Sequence, residues 1–164
     1  MCRRALSFLL VFPLLFSALF LVSCRKSETP YQKLLSFGEK YQLPAGKIYH
    51  SAAQEGEAAY LDPLLLTALF GEGADEREDI VSLALFLGSS LSAPYEMGIV
   101  LAPDPEAAKE VCGLFTHRLS VLSASPYVGN EAKAGAFVRQ YGGWAVYAML
   151  PDNPKAERVL DSLF

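Results

Sequence analysis

The sequence predicts an α+β fold: a four-stranded antiparallel sheet built from two strand–strand–helix units, with both amphipathic helices on one face and a further helix N-terminal to them. Three observations carry this. Apolar, β-prone runs come in pairs, IVSLALFL (80–87) with YEMGIVLA (95–102) and AFVRQY (136–141) with WAVYAML (144–150). Turn-forming residues join each pair, GSSLSAP in the first and Gly142-Gly143 in the second. Each pair is then followed by a Pro- and Asp-containing turn and a stretch with helical periodicity.

The chain opens with MCRR and continues through ALSFLLVFPLLFSALFLVS (5–23), which holds no charge. A basic start followed by an apolar run is the pattern of a secretory signal. Leu21-Val22-Ser23-Cys24 closes that run and resembles the bacterial lipobox, in which a cysteine receives a diacylglyceryl group and the peptidase cuts before it. The expected signal peptide is therefore 1–23, with cleavage after Ser23 and lipid on Cys24. Two acyl chains hold a protein on a bilayer where one lets it exchange, and Arg25 and Lys26 add attraction to anionic headgroups. The competing expectation is an uncleaved spanning helix, since the run is about long enough.

Cleavage leaves 141 of the 164 residues, enough for one domain. It removes two arginines, leaving 12 basic against 18 acidic residues and a formal charge of −6. A chain so charged, without a Lys/Arg cluster, offers no footprint for nucleic acid. Cys2 leaves with the signal and Cys24 is alkylated, so Cys112 stands alone and no disulfide framework is expected.

Residues 24–47 mix charge, Pro and Gly and read as a lipid-anchored tether, with room for a short helix at Tyr31–Tyr41. The single folded domain is expected over 48–164. LDPLLLTALFGE opens with Asp62-Pro63, an N-cap followed by proline at the first helical position, and stops at Gly71 and Gly73. The helix expected over 63–70 is apolar nearly all round, which predicts burial on more than one side. In YEMGIVLA, Tyr95, Met97, Ile99 and Leu101 form a strong apolar face, and Glu96, Gly98, Val100 and Ala102 a weaker one. That pattern predicts a sheet covered on one side.

The helix beginning at PDPEAAKEV places Ala108, Val111, Phe115, Leu119 and Leu122 on one stripe. Gly142-Gly143 permits the positive backbone angles of a tight hairpin. In the last segment Ala156, Val159, Leu160, Leu163 and Phe164 fall at i, i+3, i+4, i+7 and i+8, an amphipathic helix running to the final residue. PEAAKEVCGLF (105–115) aligns without gaps on PKAERVLDSLF (154–164). That echo leaves open an internal duplication or two similar amphipathic helices.

Phe70-Gly71, the apolar strand 80–87, Tyr95-Glu96, the helix carrying Arg118, Gly143-Trp144 and Leu150-Pro151-Asp152 together resemble a family of small lipoproteins of Gram-positive anaerobes that carry a domain of unknown function. The resemblance covers about residues 46–164. It implies a surface-anchored α+β domain and no activity. The two-glycine turn and the Ser-rich loop after the long helix depart from the family pattern.

Catalytic residue types are sparse. His50 and His117 lack partners at helical metal spacing, and Cys112 reads as a small core residue. No nucleophile elbow or phosphate loop is present. Asp75, Glu76, Glu78 and Asp79 fit no calcium loop and read as a solvated turn. No catalytic residue, metal or cofactor is expected. Tyr127, Tyr141 and Trp144, with Tyr147, gather around the second hairpin and are the candidate ligand platform, although Trp144 and Tyr147 alternate onto opposite faces. The function expected is a membrane-anchored, non-enzymatic binding or accessory module at the outer face of the cytoplasmic membrane, with an envelope protein or glycan as partner. The alternatives are a small envelope hydrolase or transferase using an ordinary Ser, Glu or Asp, and a spacer without a ligand.

Overall fold

The computed structural model describes residues 28–90 and 94–164; Ser23 and Cys24, the expected cleavage and lipid positions, lie outside them. The elements are α1 (Pro30–Tyr41), β1 (Gly46–His50), α2 (Pro63–Phe70), β2 (Ser82–Gly88), β3 (Glu96–Leu101), α3 (Pro105–Ala124), α4 (Asn130–Ala134), β4 (Phe137–Tyr141), β5 (Trp144–Met149) and α5 (Asn153–Asp161). The fold is α+β. Its antiparallel sheet has five strands in the order β1-β2-β3-β5-β4, one more than the sequence predicts.

The extra strand lies in and just beyond the expected tether, which folds from Thr29 onward. Thr29 caps α1 reciprocally: its Oγ1 accepts from the Gln32 N–H at 3.2 Å, and Gln32 Oε1 accepts from the Thr29 N–H at 3.0 Å. Leu34, Phe37 and Tyr41 then fall on one stripe and are buried. Gln42, in the left-handed conformation at φ 66°, turns the chain out of the helix and toward β1. Gly46 begins that strand because a Cβ there would lie 2.4 Å from the Phe86 ring and 2.5 Å from the Leu87 carbonyl. The body thus begins about twenty residues before position 48.

Strand alternation decides the layers. Leu83, Leu85, Val100, Ala145, Tyr147 and Met149 point to one face, where Val111, Phe115, Leu119 and Leu122 of α3 and Phe70 of α2 cover them. Ala84, Phe86, Met97, Ile99, Val146 and Ala148 point to the other, beneath Leu34 and Phe37 of α1 and Ala156 and Leu160 of α5. The sheet is therefore covered on both faces, and α3 and α5 lie on opposite sides. Both points correct the single-face expectation. The weaker face of β3 is buried like the strong one, because Gly98 leaves the space that Tyr147 fills: a Cβ on it would sit 2.4 Å from that ring. The opposite placement also removes a symmetric duplication. A two-fold axis exchanging the antiparallel neighbours β3 and β5 must stand normal to the sheet, which would keep both helices on one face.

The α2 boundaries match the sequence, with Asp62 Oδ1 accepting from the Leu64 N–H at 2.8 Å. Its burial does not: Phe70 alone is buried, and Leu64 is 78% exposed. The final helix ends at Asp161, short of the last residue. The register gives the sheet two ends. The lower end carries His50, Ser82, Leu101 and the Tyr141–Trp144 turn; the upper end carries Gly46, Gly88, Glu96 and Met149.

Candidate functional site

At the lower end the β4–β5 hairpin turns through Gly142 at φ 58°, as the sequence predicts, setting Tyr141 opposite Trp144. The two rings converge on Phe164. Tyr141 stacks on it at 4.5 Å between centroids and 9° between planes, and Trp144 meets its edge at 5.5 Å. Lys33 enters the cluster from α1, its ammonium 4.2 Å from the Phe164 centroid and 5.2 Å from the Trp144 ring. That ammonium, in a side chain 8% exposed, donates to the Leu163 carbonyl at 2.7 Å and to Glu28 at 2.9 Å. The Tyr141 hydroxyl donates to Asp161 at 2.7 Å. Burial first, then the Asp161 carboxylate, push that phenol far above its ordinary pKa. These aromatics fasten α1, α5 and the hairpin together, and their faces are largely committed to one another.

Tyr127 stands apart from them. It lies in the loop after α3 and is 69% exposed. The start of α3 sits at the hairpin turn, where Gln140 Nε2 donates to the Pro105 carbonyl at 2.7 Å. Twenty helical residues span about 30 Å, so Tyr127 is at the upper end. Trp144 and Tyr147 do face opposite ways, into different core layers.

The principal polar constellation joins three residues that no sequence motif marks. Glu96, at the start of β3, is 4% exposed. Its Oε1 accepts from Arg118 Nε at 2.8 Å and its Oε2 from Arg118 Nη2 at 2.7 Å, a bidentate pair. The Tyr147 hydroxyl also donates to Glu96 Oε1. Burial drives the Tyr147 phenol well above its normal pKa, and the Glu96 charge pushes it further the same way. Burial opposes the Arg118 charge, but the hydrogen bonds and charge of Glu96 outweigh it, and the Arg118 pKa rises. Tyr147 is thus a fixed neutral donor, Arg118 a fixed cation and Glu96 their acceptor. Such a set anchors α3 to the sheet. No local pattern in the sequence pairs Glu96 with Arg118, which lie 22 residues apart on different elements.

Of the remaining candidates, His117 is exposed. His50 stacks on Tyr31 at 4.0 Å and buries its Nδ1 without a hydrogen-bond partner among the described residues. Cys112 is half-buried instead of fully buried; its Sγ donates weakly to the Arg139 carbonyl at 3.8 Å, and burial raises its thiol pKa. In the acidic turn, Arg77 grips Asp79 through two hydrogen bonds of 2.8 and 2.5 Å. Among the described residues no group of three or more His, Cys, Asp or Glu is placed to hold a metal ion, and no helix is long and apolar enough to cross a membrane.

A shallow cleft of about 200 Å³ opens at the upper end between Tyr41, Gln42, Pro44, Pro151, Asp152 and Lys155. Its charged groups are engaged. Asp152 Oδ1 caps α5 by accepting from the Lys155 N–H at 2.9 Å, and the Lys155 ammonium donates to the Tyr41 carbonyl at 2.8 Å.

The chain matches no protein-family profile, no curated protein and no solved structure.

Proposed function

We propose that this chain is an extracytoplasmic lipoprotein, cut after Ser23 and carrying a diacylglyceryl group on Cys24. Its folded body acts as a non-enzymatic binding or accessory module at the outer face of the cytoplasmic membrane. The observation that carries the reading is Leu21-Val22-Ser23-Cys24 at the junction between an uncharged apolar run and the first charged residues after it. The start of the folded body supports it. Thr29 already caps a helix, so a lipid on Cys24 would attach directly beside a packed domain. The reading brings with it the resemblance to small lipoproteins of Gram-positive anaerobes, and an envelope protein or glycan as partner. The hydrolase or transferase alternative gains nothing from the upper cleft, whose Asp152 and Lys155 are tied into helix capping and a backbone contact.

Mass spectrometry of the protein extracted from its own membrane tests the reading. The expected result is an N-terminal peptide beginning at Cys24 with a diacylglyceryl mass on its sulfur, and loss of both cleavage and lipid in Cys24→Ala. A full-length chain with an unmodified Cys24 thiol would overturn it.

A further inference from the structure

We propose that the lower end of the sheet rests on the bilayer, with Leu64 and Val81 entering the headgroup layer, so that the upper end is held outward. The proposal rests on the lipoprotein reading. It begins from where the described chain starts. Glu28 and Pro30 lie at the lower end, since Lys33 contacts Leu163 and the Trp144 ring and Tyr31 stacks on His50. Four residue steps separate Cys24 from Glu28. However they are arranged, they reach at most about 14 Å at roughly 3.5 Å each. A lipid on Cys24 therefore keeps this end of a rigid body at the membrane surface.

The same end carries apolar side chains that the fold leaves uncovered. Leu64 is 78% and Val81 60% exposed. Val81 immediately precedes β2 at its lower end. Leu64 belongs to the first turn of α2, which enters from Tyr60, bridged to His50. Leu61 and Leu66 of this segment line one small cavity with Ser51, Val81 and Ser82. Half-buried Tyr141 and Trp144 occupy the same end, and such rings suit the boundary between water and hydrocarbon.

Arg25 and Lys26 draw the anchor itself to anionic headgroups, but charge does not drive the contact of the folded body. Glu28, Glu55, Glu57, Glu76, Glu78 and Asp104 are exposed around this end, and they oppose an anionic surface. Their repulsion fades over a Debye length of about 8 Å at physiological salt. The anchor supplies the affinity, and by confining the body it raises the effective concentration of the surface to the millimolar range. Two aliphatic side chains then need only to select an orientation. Apolar docking against an acidic rim has a signature opposite to that of a basic patch: it is stronger on phosphatidylcholine than on phosphatidylglycerol vesicles, and salt strengthens it on the latter.

The test uses the lipidated protein reconstituted into vesicles, in a Cys112→Ala background, with an environment-sensitive fluorophore on Leu64→Cys, Val81→Cys or Tyr127→Cys. All three sites are exposed, so labelling leaves the fold intact. At 64 and 81 the emission shifts to the blue and is quenched by nitroxide-labelled lipid; at 127 it does neither. Flotation of the vesicles is recorded on the same samples. Co-flotation with unshifted probes at 64 and 81 overturns the docking and leaves the lipoprotein standing. A shift that appears only with native membrane proteins present also overturns it, in favour of a protein partner. Failure to co-float overturns both readings.

Discussion

Glu96 and Arg118 meet through two hydrogen bonds of 2.8 and 2.7 Å, buried between α3 and the sheet, and Tyr147 adds a third donor from the neighbouring strand. A buried ion pair of this kind is a poor source of net stability, because desolvation of both charges offsets their attraction. Removing one partner is a different matter. Arg118→Met leaves the buried Glu96 carboxyl without its cation and two of its hydrogen bonds and is expected to cost about 3–5 kcal/mol. The double variant Glu96→Leu/Arg118→Met should recover most of that loss. Urea unfolding followed through Trp144, the sole tryptophan, measures both. If the double variant proves no more stable than the single one, the network contributes more than charge compensation.

The phenols give a pH dependence whose sign is fixed. Tyr147 and Tyr141 both have pKa values raised above the reference 10.0, each by burial first and by a neighbouring carboxylate next. In the folded chain they hold their protons where the unfolded chain would lose them. Stability from this source is complete below pH 10 and falls as the pH rises beyond it. Ultraviolet titration should show Tyr147 and Tyr141 ionising only together with unfolding, with Tyr41, also raised by burial, titrating late as well. In Tyr147→Phe stability should fall less steeply above pH 10, while the lost hydrogen bond lowers stability at neutral pH by about 1–3 kcal/mol.

The element list was largely legible. Both hairpins, the limits of α2 and the α3 stripe follow from alternation, turn residues and helical spacing. The layer arrangement was not, and β3 shows why. Glu96, Gly98 and Val100 read as a weak face because hydropathy registers a glycine as nothing to bury. The space above Gly98 is filled by Tyr147 from another strand, which only tertiary contact reveals. Pairing of Glu96 with Arg118 was invisible for a related reason: the two residues are 22 positions apart and lie on different elements. The five-residue β1 was hidden by its polar start, and as an edge strand it needs little apolar content. Of the aromatic platform, the meeting of Tyr141 and Trp144 across the hairpin was legible, whereas the distance of Tyr127 was not, because it depends on the length of α3.

Gly98 supplies a direct check on the layering. Alanine there would place Cβ 2.4 Å from Tyr147 Cε1 and 2.9 Å from Leu85 Cδ2. Overpacking of this kind costs about 1–3 kcal/mol, and here it also pushes the phenol away from Glu96. Gly98→Ala is expected to lower the melting temperature clearly more than Gly113→Ala, where an added Cβ meets nothing within 4 Å. Equal melting temperatures for the two variants would mean that Tyr147 does not lie across β3.

Lys33 joins three elements through one ammonium, reaching the Leu163 carbonyl, Glu28 and the faces of Phe164 and Trp144. Its removal tests whether the lower end is fastened as a unit. Lys33→Met keeps the buried methylenes but leaves the Leu163 carbonyl without this donor and deletes the cation–ring contacts. The hydrogen bond and the ring contacts are each worth about 0.5–2 kcal/mol. The expected loss is about 1–3 kcal/mol, with faster amide exchange concentrated in residues 159–164 and a changed near-ultraviolet dichroism from Trp144. The upper end should exchange as before, because Tyr41, Asp152 and Lys155 hold α1 to α5 there independently, the Tyr41 hydroxyl accepting from the Asp152 N–H at 2.9 Å. Uniform acceleration across α1 and α5 would show that the two helices dock cooperatively, with Lys33 as one contact among many.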